Sequence, residues 1–295
     1  MKLNDLLEGH QIDPRNVLVF RHRPHEQGLR KVLPWLAADK PEMFNAYQQT
    51  QGPKLERAMQ AMTNSGWVAS FIGHEPGKAL FVGLYSIGSS TALTYDQFWK
   101  VPAYVEMKKF GLVGWTREND VRPSKLWFEL KRTEFYALWC GKLIVDWPPP
   151  ERSWWRRAHN NEISVAAILE DSALAAATPR FDQLVLTWAE LKVLPTAWKS
   201  VLSEWRGIYY VFDTSDRKGY VGSAYGKTNL LGRWLNYAAR GHGGNALLRQ
   251  RNPETFRFTI LQRVSPDMDA ADVVALEGSW KQRLHTRQPY GLNEN

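Results

Sequence analysis

Cysteine is nearly absent from this chain. The single thiol, Cys140, excludes an internal disulfide and a cysteine-rich zinc site. Long apolar runs are missing too: the densest are as short as Leu80–Tyr85, far below the ~18 residues of a membrane-spanning helix. The N-terminal MKLNDLLEGHQIDPRN holds no apolar core of signal-peptide length. There is no internal repeat and no low-complexity tract. With 44% hydrophobic and 23% charged residues, wholesale disorder is excluded as well. These absences predict a soluble, cytoplasmic, globular protein with no membrane contact.

Two things are present in excess. The formal charge is +8 and the pI about 9.5, which fits a polyanionic partner. There are also 14 tryptophans. Large aromatics fill cores, yet cationic side chains interleaved with rings also grip single strands and flipped bases.

At roughly 100–200 residues per domain, 295 residues favour two domains. Val145–Trp155 carries three consecutive prolines, which excludes helix and predicts the extended end of a compact unit. Ile163–Ala177 is alanine-rich and predicts a helix stopping before Pro179. Thr187–Trp205 has helical texture in two pieces broken at Pro195. The boundary falls in the window 178–200. We expect a recognition domain over 1–178, a helical linker over 179–204 and a second domain over 205–295. Strands are predicted at Val17–Phe20, Trp67–Ile72, Ala79–Ile87, Lys125–Leu130 and Lys142–Asp146, with helical texture at Pro41–Gln51 and Lys54–Met62. The expected class is α+β: a β-rich, barrel-like first domain joined to a small mixed α/β domain. In texture, GHEPGKALFVGLYSI, KLWFELK and GKLIVDWPPP loosely resemble the PUA-like barrels that read modified bases, over residues 17–155.

The last hundred residues say more. Gly207–Phe212 alternates, a polar turn spans Asp213–Lys218, and Gly219–Gly222 returns, which reads as a hairpin with Tyr209 and Tyr220 on its two strands. Two such tyrosines are by default packing partners. Leu230–Arg240 reads as a helix on which Arg233 and Tyr237, four apart, share a face. A strand follows at Phe256–Leu261. The final helix, about Asp269–Thr286, carries an apolar stripe of Val273, Leu276, Trp280 and Leu284, and Glu277 falls inside it. A carboxylate on a buried face must be paired or bind a metal. Asn293 follows in PYGLNEN, where asparagine is by default a turn residue.

Together, GIY at Gly207–Tyr209, YVG at Tyr220–Gly222, Arg233 in GRWLNY, Glu277 and the Leu292–Asn293 pair resemble the GIY-YIG nuclease family over about 205–295. The resemblance implies a DNA endonuclease that hydrolyses phosphodiesters with one divalent metal, Mg²⁺ or in its place Mn²⁺. Glu277 would be the metal ligand, leaving water and phosphate in the other positions, as Mg²⁺ prefers. Arg233 would hold the scissile phosphate. Tyr209 and Tyr220 would flank the attacking water, with Tyr209 favoured as base although ionising a phenol at pH 7 costs about 4 kcal/mol. Tyr237 stands where some restriction-type members have histidine. Ser223 stands where others have lysine, and His242 and Asn245 of GHGGN are candidates to replace that basic helper, or equally a capped helix end with a glycine-rich turn.

The leading expectation is an endonuclease restricting foreign or base-modified double-stranded DNA, with the first domain choosing the target. That domain holds Trp67, Trp99, Trp115, Trp127, Trp139 and Trp147 and the basic stretch Arg21–Arg23, which would read a flipped base unless the rings are simply core. The alternatives are a repair or mobile-element nickase and a non-catalytic nucleic-acid-binding protein; the complete residue set speaks against the last. Double-strand cutting by one site would imply a homodimer or sequential nicking.

Overall fold

The computed structural model describes residues 1–174, 178–227, 229–240 and 245–294. It divides into two units, Met1–Ala176 and Ala177–Asn295, a boundary just upstream of the window marked by the breakers. Helices accompany largely antiparallel sheets, so the class is α+β. Among the described residues, no helix is long and apolar enough to cross a membrane.

In the first unit the strands are β1 (Val17–His22), β2 (Trp67–Gly73), β3 (Lys78–Thr94), β4 (Ser124–Arg132), β5 (Leu143–Asp146), β6 (Trp155–Arg157) and β7 (Val165–Ile168). Their order is β6-β1-β2-β3-β5-β7, with β4 on the later part of β3, and the sheet curls into a half-barrel. β1 and β2 run parallel with Val17 opposite Trp67. A parallel pair needs a long crossover, here supplied by helices Gln27–Asp39, Pro41–Gln49 and Pro53–Gln60. Every residue of β1 is buried, as expected for a strand covered on both faces. On one face Val17 and Val19 join Phe71, Phe81, Leu143, Val145 and the N-terminal Leu3, Leu6 and Leu7 in a core.

Two expectations fail here. Ile163–Ala177 is not a helix: Val165–Ile168 pairs with β5, and a non-local ladder overrides the alanines' weak helix propensity. Residues 175–177 lie outside the described residues. The proline run does not end the unit either, because β6 follows it directly and returns to pair with β1.

In the second unit β8 (Val185–Thr187), β9 (Arg206–Asp213), β10 (Lys218–Ala224) and β11 (Phe256–Val264) form an antiparallel sheet ordered β10-β9-β11-β8. Residues 179–204 are therefore not a purely helical linker. They contribute β8, paired with β11, and two helices, Trp188–Leu191 and Thr196–Glu204, packed within the second unit. Strand alternation sorts the side chains to two faces. Ile208 and Val221 pack with Val264 and with Val273, Leu276 and Trp280 of helix Ala270–Arg283. On the opposite face, Tyr209 and Phe258 meet Trp234 and Tyr237 of helix Asn229–Arg240. The stripe on the last helix is shorter than expected, since Leu284 is its C-cap and is exposed. Asp213 closes the hairpin: burial pushes its pKa up, but bonds from Ser215, Arg251 and Thr255 outweigh this and hold it at about 2.

Candidate active site

The register of the hairpin brings the motif residues together. Tyr220 lies opposite Val211 and Gly222 opposite Tyr209, so both tyrosines project from one face of the sheet. Gly222 is required there for space. A Cβ at that position would stand 2.5 Å from the Tyr209 hydroxyl oxygen and 2.6 Å from its Cζ, so the Tyr209 phenol occupies the room a side chain would fill.

Helix Asn229–Arg240 lays Tyr237 into the same cluster. The ring centroids of Tyr209, Tyr220 and Tyr237 form a triangle with sides of 6.1–6.4 Å, and the hydroxyls of Tyr209 and Tyr237 are 3.1 Å apart. Tyr209 and Tyr237 are fully buried, whereas Tyr220 is half-buried. Burial pushes the phenol pKa of both Tyr209 and Tyr237 well above the ordinary range. Tyr209 is thus a poor general base where it stands, and the half-buried Tyr220 is the tyrosine that solvent reaches.

One turn before Tyr237, Arg233 is exposed, with its Nε 3.5 Å from the Ser223 carbonyl. The neighbouring Tyr209 and, more weakly, Tyr237, Tyr220 and Glu277 favour its charged form against the opposing effect of burial. The Ser223 hydroxyl donates to Glu277 from the opposite face of the sheet. Ser223 therefore joins the two charged residues, its carbonyl to the guanidinium and its hydroxyl to the carboxylate. Glu277 is 17% exposed and pairs at 2.8 Å with Lys281, one turn on. Lys281 escaped the sequence reading, although Glu–Lys at i,i+4 is a recognisable helix pair.

Several expected site residues take structural posts instead. Asn293 is buried, and its side-chain amide bonds Val221 twice: its Oδ1 accepts from the backbone N–H at 3.0 Å and its Nδ2 donates to the carbonyl at 2.8 Å. Leu292 N–H donates to Gly219 O. The tail so covers the outer edge of β10, and Asn293 turns its amide to Val221 and is buried there. Asn245 caps the start of a further helix, Ala246–Arg249, accepting from Leu247 N–H and Leu248 N–H. Ser223 is buried against Glu277 rather than free to touch a ligand. His242 lies outside the described residues.

A divalent ion would have the Glu277 carboxylate beside the Ser223 hydroxyl. Among the described residues, no cluster of three or more His, Cys, Asp or Glu could hold a metal. Such a donor set suits an ion that takes most ligands from water and phosphate, as Mg²⁺ does, and not zinc.

In the first unit, the six tryptophans named from the sequence divide: Trp115 and Trp147 are core and the other four are half-buried. None of them lines the cavity beside β1, whereas Trp154 does.

A comparison with solved structures finds the catalytic domain of the homing endonuclease I-TevI, with 22% sequence identity, a TM-score of 0.26, and coverage of 30% of this chain and 98% of that one. No family model matches the chain, and no curated protein matches it. The likeness of residues 17–155 to PUA-like barrels finds no counterpart in these comparisons.

Proposed function

We propose that the second unit is a metal-dependent endonuclease that hydrolyses phosphodiester bonds of double-stranded DNA. The observation that carries this reading is the bridge at Ser223, which sets an exposed arginine and a lone carboxylate around one strand end beside a tyrosine cluster. Arg233 presents a fork of N–H donors to the scissile phosphate and stabilises charge developing on its oxygens. Glu277 would hold Mg²⁺, its carboxylate oriented by the Ser223 hydroxyl. The bound ion would supply neutralisation of the phosphate and the leaving oxygen.

Tyr220 orients the attacking water through its hydroxyl, while Tyr209, held by Tyr237, packs behind it and fixes its position. This reverses the expected order of the two tyrosines, because the burial that pins Tyr209 also opposes its ionisation. The first unit chooses the target, so that the whole chain acts in restricting foreign or base-modified DNA. Incubating the protein with modified and unmodified duplexes and Mg²⁺, then mapping the ends, tests this. Metal-dependent nicks that vanish in EDTA are expected, and uncut duplexes with every divalent ion tried would overturn it.

A further inference from the structure

The first unit holds a cavity of about 650 Å³ at the carboxyl end of β1, within the roughly 300–1,000 Å³ of small-ligand pockets. Its polar lining is unusual in being partly unused. Arg21 is 3% exposed. Its Nη2 donates to the Glu151 carbonyl at 3.1 Å and lies 3.5 Å from the Glu151 carboxylate, but its buried Nη1 has no hydrogen-bond partner. A buried donor left unpaired costs about 1–3 kcal/mol, and more when charged; Arg21 thus sets a positive charge behind the cavity wall, its guanidinium over the Trp147 ring.

Next to it, His22 is buried and also lines the cavity. Its Nε2 lies 3.2 Å from both Gln48 Oε1 and Ser70 Oγ, and Ser70 donates to the same Gln48 oxygen. Gln48 is itself oriented by donating from Nε2 to Asn45. An amide oxygen can only accept, so the His22 proton sits on Nε2. Burial lowers the His22 pKa to about 4, which keeps the ring neutral and leaves Nδ1 as an acceptor. Nδ1 is thus an acceptor fixed on the cavity wall, able to receive an N–H from the edge of a heterocycle.

The walls and rim supply the rest. Trp154, 38% exposed, lines the cavity with its ring 6.4 Å from that of His22, and Tyr47 lines it from helix Pro41–Gln49. Arg23, Arg30, Lys125 and Arg152 bring four further cations against the carboxylates of Glu26 and Glu151, and Glu151 serves both Arg21 and Arg23. The positive excess suits a phosphate, and the rings suit a base.

We propose that this cavity binds one nucleotide unit, its ring against Trp154 with its edge read by His22, and its phosphate on Arg23 and Arg152. This deepens the recognition role given to the first unit and rests on it. Two sources share this chemistry: a nucleotide turned out of a duplex, and a free nucleoside monophosphate.

The test measures binding alone, in EDTA, with full-length protein carrying Glu277→Gln, so a negative result leaves the nuclease reading standing, and failure to cut leaves this one standing. A labelled duplex with one central mismatch, whose bases turn out at low cost, should bind at least tenfold more tightly than the same duplex with an abasic site there. Adding Trp154→Ala should cut that ratio below threefold with the abasic duplex unaffected. Adding Arg152→Ala, on the exposed rim, should weaken both duplexes alike. By calorimetry, a deoxynucleoside 5′-monophosphate that binds while inorganic phosphate does not supports the free source of the same ligand. Equal affinity for the two duplexes together with no monophosphate binding would overturn the proposal. So would inorganic phosphate competing as well as the monophosphate.

Discussion

The two units hold their site residues in different ways. Around the tyrosine cluster the candidate residues are held by one another and by the chain: Asn293 by Val221, Glu277 by Lys281 and Ser223, and Tyr209 by Tyr237. In the cavity beside β1, one imidazole nitrogen of His22 is held by its partners and the other is left to be used. A site for chemistry gains from groups fixed before the substrate arrives, because no reorganisation is then needed at the moment of reaction. A site for recognition gains from groups whose satisfaction depends on the right ligand, because a wrong one leaves them unpaired.

The sharpest way to break this contrast is to remove the chemistry and keep the binding. Glu277→Gln and Arg233→Ala should each slow cleavage by ~10²–10³ or more, the usual loss for one transition-state donor. Duplex affinity should survive Glu277→Gln. Near-normal nicking by that variant would remove the metal-ligand role.

A pH titration of stability addresses the other side. His22 has a folded pKa near 4, below its unfolded value near 6.5, so between these values the unfolded chain binds the extra proton. Its contribution is therefore fully present above about pH 6.5 and is lost as pH falls toward 4. The loss amounts to about 3 kcal/mol at roughly 1.4 kcal/mol per pKa unit. Denaturation curves of wild type and His22→Gln should diverge by that amount across this window. Parallel curves would mean that the ring is not held neutral, and the cavity would lose its fixed acceptor.

Asn293→Ala should cost about 2 kcal/mol by leaving the Val221 N–H and C=O without partners. Amide exchange at Val221 should accelerate while the amides of β11 stay protected. Unchanged exchange at Val221 would return Asn293 to the list of candidate substrate contacts.

The smallest effect concerns Lys281. Its ion pair with Glu277 is partly exposed, so it is worth about 0.5–1 kcal/mol. Lys281→Met should shift the Mg²⁺ concentration for half-maximal cleavage downward by only a few-fold. An upward shift would show that Lys281 aids the ion and does not compete with it.

The same contrast explains what could be read without a structure. Tyr209, Tyr220, Arg233 and Glu277 lie within one contiguous stretch, on elements whose period or turn residues declare them. Their neighbourhood follows from strand register and helix spacing. The roles of Asn293, Asn245 and Ser223 did not follow, because a hydrogen-bonding side chain carries no mark of whether its partner will be backbone or ligand. The cavity joins Arg21 and Tyr47 to Arg152 and Trp154, more than a hundred residues further along, because the parallel β1–β2 pair and the antiparallel β6 meet on one strand. The basic Arg21–Arg23 run was visible; the tryptophan beside it could not be chosen from fourteen. Ile163–Ala177 misled for a related reason, since an edge strand is decided by the partner it finds and not by its own composition.

The tail that seals β10 also sets an order of events. Asn293 lies 72 residues beyond Val221, the residue it holds. During synthesis, Tyr209, Tyr220, Arg233 and Glu277 all emerge before the side chain that fastens the outer edge of their strand. Until Asn293 docks, β10 is a hairpin arm with bare amides, able to slip or to pair with another chain. A chain that stops short of Asn293 thus holds the four candidate residues without their clasp.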